Sequence, residues 1–572
     1  MKEIRGLPGA KGRALHKAVV LTRRSPRPER RPVADPETEV ARFETLRAAY
    51  AGELRELGEK ALASAGQEAA DIMKAYADIA GDGLFFKKPV KLVREEAVDA
   101  GWAVAQERDR VCRKFAAMED PYMKARADDV RNVCDELIRR LEGGEALADS
   151  GEGAAIFVAE DLTPEDTVRL DKSRLGGFVT ERGGVTSHAV ILAKTLGIPA
   201  VVGAAGILEA VRSGQDICLN GDDGIALVDP DASAVAEFTR AGAAQEAARA
   251  RWREAAAKPA VTPDGHTVSV CVNSGDTDSL KSFQADLCDG VGLFRTEFLF
   301  MDQNDYPSEE LQYRAYRTVA EAAAGKEVII RTLDIGGDKQ LGYMDLPKEA
   351  NPFLGYRAIR ICLDREEVFN TQLRALLRAA LHGHVKIMFP MIVTLEELRA
   401  AKAAVARARA SLRAEGVPCA DHVPLGIMIE TPAAVILSDV LAEEADFFSI
   451  GTNDLIQYTT ATDRMNERVQ YLYDPCNLSV LRAIQTVIQN GHRAHIPVGM
   501  CGEAASDERL LPLLLAMGLD EFSMVPAQVG RVKHFIQNTP FATLKALPAE
   551  VLGQREIGEA KRILAQYEKE GL

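Results

Sequence analysis

Apolar positions recur at three- and four-residue steps through residues 40–141. Phe43, Leu46, Tyr50 and Leu57 make one series; Met123, Ala127, Val130, Cys134, Leu137 and Leu141 make another. Each series falls on one helix face, so this stretch reads as a small helical bundle whose seams are core. At residue 154 the character changes. Residues 156–158, 200–202 and 217–219 are short β-branched runs separated by glycine-rich turns and one short helix, the pattern of an α/β module that the helices before it interrupt or flank. Upstream, the apolar residues 18–21 run into RRSPRPERRP, too rich in Arg and Pro for regular structure and read as a solvated loop. Residues 231–258 are rich in Ala, Glu and Arg, which suits one exposed helix; Pro259 and Pro263 end it, and it is the linker candidate.

Beyond the linker, eight short apolar runs alternate with helical segments: 268–272, 290–294, 328–330, 385–389, 425–429, 447–450, 498–500 and 522–525. Eight β/α units at this spacing predict a (β/α)8 TIM barrel, a fold of roughly 250 residues that carries its chemistry where strands end. Polar residues do follow the runs: Arg295-Thr296-Glu297, Arg331 with Asp334, Glu430, Asn453-Asp454 and Cys501-Gly502-Glu503. The expected architecture is therefore multidomain α/β, with an α/β module over 1–21 and 145–230, helices inserted over 22–144, a helical linker over 231–260 and the barrel over 261–572.

Composition narrows the function. Hydrophobic residues make up 47% and charged residues 27%, which excludes a disordered or collagen-like chain. A net charge of −15 argues against a broad nucleic-acid surface, so any anion has to be met by local arginines. The nine cysteines contain no C-x-x-C pair, a pattern suited to a reducing, cytoplasmic setting. The N-terminal residues lack an apolar signal-like stretch and no apolar run is long enough to span a bilayer, so no membrane insertion is expected.

Arg295, Arg331 and Arg464 present permanently charged forked donors for phosphate or carboxylate. Glu430 and Asp454 are hard oxygen donors of the kind Mg²⁺ prefers when substrate phosphate and water complete its shell. Together they describe a site for a small phosphorylated acid; taken singly, each arginine is as readily explained as the structural partner of a nearby carboxylate. Cys501, in GMCGE, is a thiol mostly protonated at neutral pH and so a proton donor, although a lone cysteine after a strand is usually an inert core thiol. His188, in GGVTSHAVILAK, would open a helix running to about Leu196 with Thr186 or Ser187 as cap. There the helix dipole disfavours an imidazolium and favours a phosphoryl anion on the ring. A histidine near a helix start is otherwise more often structural. His382, His384, His492 and His495 lack a third ligand in sequence and read as loop or helix-end residues. LDIGGDK has no nucleotide-cradle pattern, and no ATP site is evident.

The segments GGVTSHAVILAK, GLFRTEFLFM, IIRTLDIGGDK, NPFLGYRAIRI, MIETPAAV, FSIGTNDLIQYTTATDRMN and GMCGEAASDERLLPLLLAMGLDEFSM closely resemble the signatures of the Enzyme I family of the bacterial phosphoenolpyruvate-dependent sugar phosphotransferase system. The resemblance spans nearly the whole chain and is densest over 154–230 and 265–535. It implies phosphorylation of His188 by phosphoenolpyruvate, with release of pyruvate. It implies substrate binding by Arg295, Arg331, Arg464, Asn453 and Asp454, with Lys339 and Arg357 as auxiliary phosphate-site residues. Mg²⁺ would rest on Glu430 and Asp454, and Cys501 would be the proton donor. The implied partner is the small phosphocarrier HPr, docking on the helical subdomain, and the implied assembly is a homodimer through the barrel. A phosphoenolpyruvate-sensing phosphorelay protein not coupled to sugar transport is the alternative. GLPGAKGRA, Lys194, Val525-Pro526 and residues 82–100 depart from the family's usual pattern.

Overall fold

The chain divides into two units, Met1–Ala244 and Gln245–Leu572. The structure, a computed structural model, describes all residues except 22–27, 66, 117–120, 144–152, 171, 185–189, 191–192, 195–196, 276–284, 302, 338–340, 467 and 572. The first unit opens with strands β1 (Lys2–Arg5), β2 (Leu7–Ala10) and β3 (Arg13–Leu21). Helices α1 (Pro36–Ala65), α2 (Gln67–Gly81), α3 (Lys87–Glu96), α4 (Ala100–Ala116) and α5 (Pro121–Leu141) follow. Then come β4 (Ala155–Ala159), α6 (Pro164–Arg169), β5 (Leu175–Thr180), β6 (Ala200–Val202), β7 (Asp216–Asn220) and β8 (Ile225–Val228).

The eight strands form one sheet in the order β1-β8-β7-β3-β4-β5-β6-β2, with β3 to β6 parallel and the outer strands antiparallel. β1 and β2 lie at opposite ends of that order, yet only Gly6 separates them. The sheet therefore curls until its edges meet at this residue. Gly6 N donates to Gly224 O at 2.9 Å, and a Cβ on Gly6 would sit 2.5 Å from Val202 O, so only glycine fits the seam. Sequence reasoning missed β1, β2, β5 and β8: a four-residue edge strand such as KEIR buries a single side chain, Ile4, and carries no readable period, and β5, LGGFVT, is interrupted by two glycines.

The helices occupy the connection between β3 and β4, which pair in parallel from Lys17↔Ala155 to Leu21↔Ala159. Phe43, Tyr50, Leu54, Met73, Tyr76, Phe86, Val133 and Leu137 form their buried core. Thr163 caps α6 in a reciprocal capping box with Asp166, and Pro164 occupies the first turn, where its missing N–H costs nothing. That fixes Glu165, which accepts from Tyr50 Oη at 2.5 Å; Arg169 then bridges Glu165 and Glu53. Helix α7 (Ala232–Ala256) follows, and the division between the units falls within it.

The second unit is a closed, all-parallel barrel of β9 (Ser269–Ser274), β10 (Gly290–Phe294), β11 (Glu327–Arg331), β12 (His384–Phe389), β13 (Leu425–Ile429), β14 (Phe448–Ile450), β15 (Val498–Met500) and β16 (Glu521–Met524). All eight runs read from the sequence are strands, with ends moved by no more than two residues. The eighth stops before Val525 because Pro526 starts a helix there and leaves Val525 extended as its cap. Leu293, Ile329, Met388, Met428, Phe447 and Cys501 pack as a cluster of their own, apart from the larger core that joins strands to outer helices. No helix among the described residues is long and apolar enough to cross a membrane.

Candidate active site

The C-terminal strand ends of the barrel surround a cavity of about 210 Å³. Arg295, Arg331, Asp334, Gly336, Arg357, Glu430, Asn453, Asp454, Arg464, Cys501 and Glu503 all line it. Arg331, the last residue of β11, is buried and bonds Glu297 Oε1 at 2.7 Å and Asp334 Oδ2 at 2.9 Å. Arg357 reaches Asp334 Oδ1 at 3.0 Å, Asp454 Oδ2 at 3.1 Å and the Tyr458 hydroxyl at 3.1 Å. Asp334 thus holds two guanidinia at once. The loop can pass this closely because Gly336 sits at φ 110° with only 2.4 Å between its would-be Cβ and that of Arg357. The Phe353 ring lies under both Arg357 and Arg464, at 5.8 and 5.7 Å from centroid to Cζ. Arg295 is exposed at the rim, and no ion-pair partner for it occurs among the described residues.

Glu430 follows β13 and is fully buried; its Oε1 accepts from Met391 N at 2.7 Å. Asp454 lies in the first turn of helix Thr452–Thr460, and its Oδ1 is buried without a hydrogen-bond partner. Asn453 and Glu503 bond reciprocally, Nδ2 to Oε1 at 3.4 Å and Glu503 N to Oδ1 at 3.3 Å. Cys501 N donates to Ile450 O at 3.1 Å, and its side chain is buried beside Arg331. Next to it, Gly502 presses so closely on Thr452 that a Cβ would lie 1.9 Å from Thr452 Oγ1.

Charge states follow from these contacts. Burial would lower Arg331 and Arg357, but Glu297 and Asp334 around the first and Asp334 and Asp454 around the second push both above the usual arginine range. Burial, reinforced by Asp454 and Asp334, pushes Glu430 up to about 8 against the pull of Arg357 and Arg331. Burial raises the Cys501 thiol to about 11, although Ser449, Arg331 and Arg295 favour its thiolate. Cys501 is therefore held as a thiol at neutral pH. Glu430 and the unpartnered Asp454 Oδ1 are the oxygens that could take a divalent cation; no cluster of three or more metal-binding side chains occurs among the described residues, so substrate or water would complete its shell.

Of the residues singled out in the sequence, Arg295, Arg331, Arg357, Glu430, Asn453, Asp454, Arg464 and Cys501 come together in this one cavity. His188 and Lys339 lie outside the described residues. His382 bonds the Tyr313 hydroxyl at 2.9 Å and His492 bonds Asp520 at 2.8 Å, away from the cavity. Sequence reasoning missed Phe353 and Tyr458. Tyr458 stands four residues after Asp454 on the same helix face, a spacing that could have found it.

Three protein families match the chain: "PEP-utilising enzyme, PEP-binding domain" over residues 249–541, "PEP-utilising enzyme, mobile domain" over 151–224 and "PEP-utilising enzyme, N-terminal" over 5–126. Curated relatives named phosphoenolpyruvate-protein phosphotransferase are similar almost end to end. The one from Bacillus sp. (strain S) is 44% identical over 524 residues, 91% of each chain. That of Bacillus subtilis is 43% identical over 525 residues, 92% of each chain. That of Lactococcus lactis subsp. lactis is 42% identical over 574 residues, 99% of each chain.

Proposed function

Because the chain belongs to the phosphoenolpyruvate-protein phosphotransferase family, we propose that it moves the phosphoryl group of phosphoenolpyruvate onto His188, releases pyruvate, and passes the phosphoryl group to the histidine phosphocarrier HPr as the first step of a sugar-uptake relay. The observation that carries this reading is the convergence of four arginines, three buried carboxylates (Asp334, Glu430 and Asp454) and the buried Cys501 thiol in one cavity. Arg295, Arg331, Arg357 and Arg464 bind the phosphate and carboxylate, Asn453 and Asp454 orient them, and Lys339 assists at the phosphate. His188 attacks phosphorus in line, and the arginines stabilise charge spreading over the equatorial oxygens. Cys501 then protonates the enolate carbon.

Several of these guanidinia already face carboxylates, so an incoming phosphorylated acid brings excess negative charge. Asp454 Oδ1 and the burial-raised Glu430 are where a compensating cation fits. Mg²⁺ held there supplies positive charge to the phosphoryl oxygens when bound. The helical subdomain, residues 22–144, is the HPr-docking surface in this proposal, and the setting is cytoplasmic. Homodimerisation through the barrel is supported by Ile436, 76% exposed after β13, and by Met465 and Tyr471, 70% and 77% exposed after β14.

The test is incubation with labelled phosphoenolpyruvate and Mg²⁺. Acid-labile, base-stable label that is absent from His188→Ala and moves to HPr is the expected result. Label that forms but never leaves for HPr would favour a sensing role, and label that requires ATP would refute the reading.

A further inference from the structure

The β15–β16 ladder runs only from Gly499↔Glu521 to Met500↔Phe522, so it stops one residue short of Cys501. The carbonyl of Cys501 is instead taken by a side chain from two strands away. Asn273, on β9, donates from Nδ2 to Cys501 O at 2.9 Å and to Ser523 O at 3.3 Å. Ser523 Oγ, fully buried on the strand between, donates back to Asn273 Oδ1 at 2.7 Å. The two carbonyls define which end of the carboxamide is which, because an amide turned the other way would set its oxygen against both of them; the Ser523 hydroxyl then satisfies the oxygen that is left. Gly292 leaves space for the pair: a Cβ there would lie 2.4 Å from Ser523 Oγ and 2.6 Å from Ser523 Cβ.

From this geometry we infer that Asn273, fixed by Ser523, is a positioning residue that aims the Cys501 thiol at one face of the enolate; the inference rests on the function proposed above. In the step concerned, the S–H bond of Cys501 breaks as the enolate π pair forms the new C–H bond. Pyruvate leaves, and the thiolate regains a proton from solvent. Cys501 is otherwise anchored by its own N–H on Ile450 O at 3.1 Å, by its Sγ on the same carbonyl at 3.9 Å and by the squeeze of Gly502 on Thr452. Without the carbonyl anchor, these remaining restraints all lie on the β14 side, and no hydrogen bond among the described residues holds the residue from the β16 and β9 side.

The test uses the full-length protein as wild type, Asn273→Asp and Ser523→Ala. Asparagine to aspartate keeps the size and the acceptor but removes the donor; Ser523→Ala leaves the carboxamide and both carbonyls it meets but removes the hydroxyl that tethers its oxygen. Each turns over phosphoenolpyruvate carrying one deuterium at a defined C3 position in tritiated water, and the methyl configuration of the pyruvate is read. Wild type should give one configuration. Asn273→Asp should release pyruvate about 100-fold more slowly, with KM little changed and the configuration largely scrambled. Ser523→Ala should scramble in part. Chirality does not depend on how much protein folds, so a merely destabilised variant would be slower yet stereospecific. Retention of a single configuration in both variants overturns the inference. Wild-type protein that forms no pyruvate overturns the functional reading and this inference with it.

Discussion

Glu521 stands at the floor of the barrel with its Oε1 buried and unpartnered, although the residue as a whole is partly exposed. It occupies room left by two missing side chains: a Cβ on Gly292 would lie 2.4 Å from Oε1, and one on Gly499 3.1 Å from the Glu521 Cβ. Burial raises its carboxyl from 4.5 to about 7; Glu327 and Asp289 add to the rise, and Lys386 and Cys271 oppose it. The sign follows from proton counting. Between pH 4.5 and about 7 the folded state keeps a proton that the unfolded chain has released, so stability falls as pH rises through that window and is level above it. At about 1.4 kcal/mol per unit, the accumulated cost above pH 7 is about 3 kcal/mol. Glu521→Gln is nearly isosteric with the protonated acid and does not titrate. It should therefore melt with wild type near pH 4.5 and above it by roughly 5 °C at pH 8. Thermal unfolding of both proteins across this range, followed by circular dichroism, measures the difference. Parallel curves, or a variant less stable at pH 8, would refute the reasoning.

Cys501→Ala should still bind phosphoenolpyruvate but release pyruvate about 100-fold more slowly or worse, read with a pyruvate-consuming coupled assay. Arg357→Met leaves Asp334 and Asp454 without a guanidinium they share; it should cost about 3 kcal/mol of stability in denaturant melts and abolish substrate binding by calorimetry. Gly502→Ala forces a Cβ against Thr452 and should lower turnover by more than about tenfold while the circular dichroism spectrum stays unchanged. Chelation should stop labelling of His188 and added Mg²⁺ restore it, and Asp454→Asn should raise the Mg²⁺ needed for half-activity by about tenfold or more.

The barrel was legible because a parallel strand buried on both faces reads as a continuous apolar run, as GVGLF and LGIMI do, and because five of the eight runs are followed by charged or polar residues that the fold brings to the mouth cavity. The edges β1 and β2 were not, since their pairing depends on a sheet curling onto Gly6, which no local pattern encodes. The same distinction governs the site. Most residues that reach the cavity could be read from strand ends, and Arg357 only from its motif, but not which carboxylate each arginine meets. Asp334 binds its neighbour Arg331 and also Arg357, 23 residues on, only because the Gly336 turn folds the loop back. His188 and Lys339 rest on motif alone.

The interior polar residues tell a further story. β16 reads E-F-S-M and β9 reads S-V-C-V-N-S, alternations unexpected in strands that must be buried on both faces. Outer positions such as Phe522 and Val272 meet the helices' core, so the polar alternates are obliged to face the barrel's inside. A polar side chain there is costly unless bonded, and Asn273 and Ser523 satisfy one another and the free carbonyl of Cys501. Glu521, two residues before Ser523 and on the same inward side, has no such partner for its Oε1. One interior column thus contains both a closed hydrogen-bond network beneath the thiol and, at the floor, a carboxyl with one oxygen buried and unpartnered. That contrast is why substitution at Asn273 should disturb chemistry, whereas substitution at Glu521 should change stability with pH.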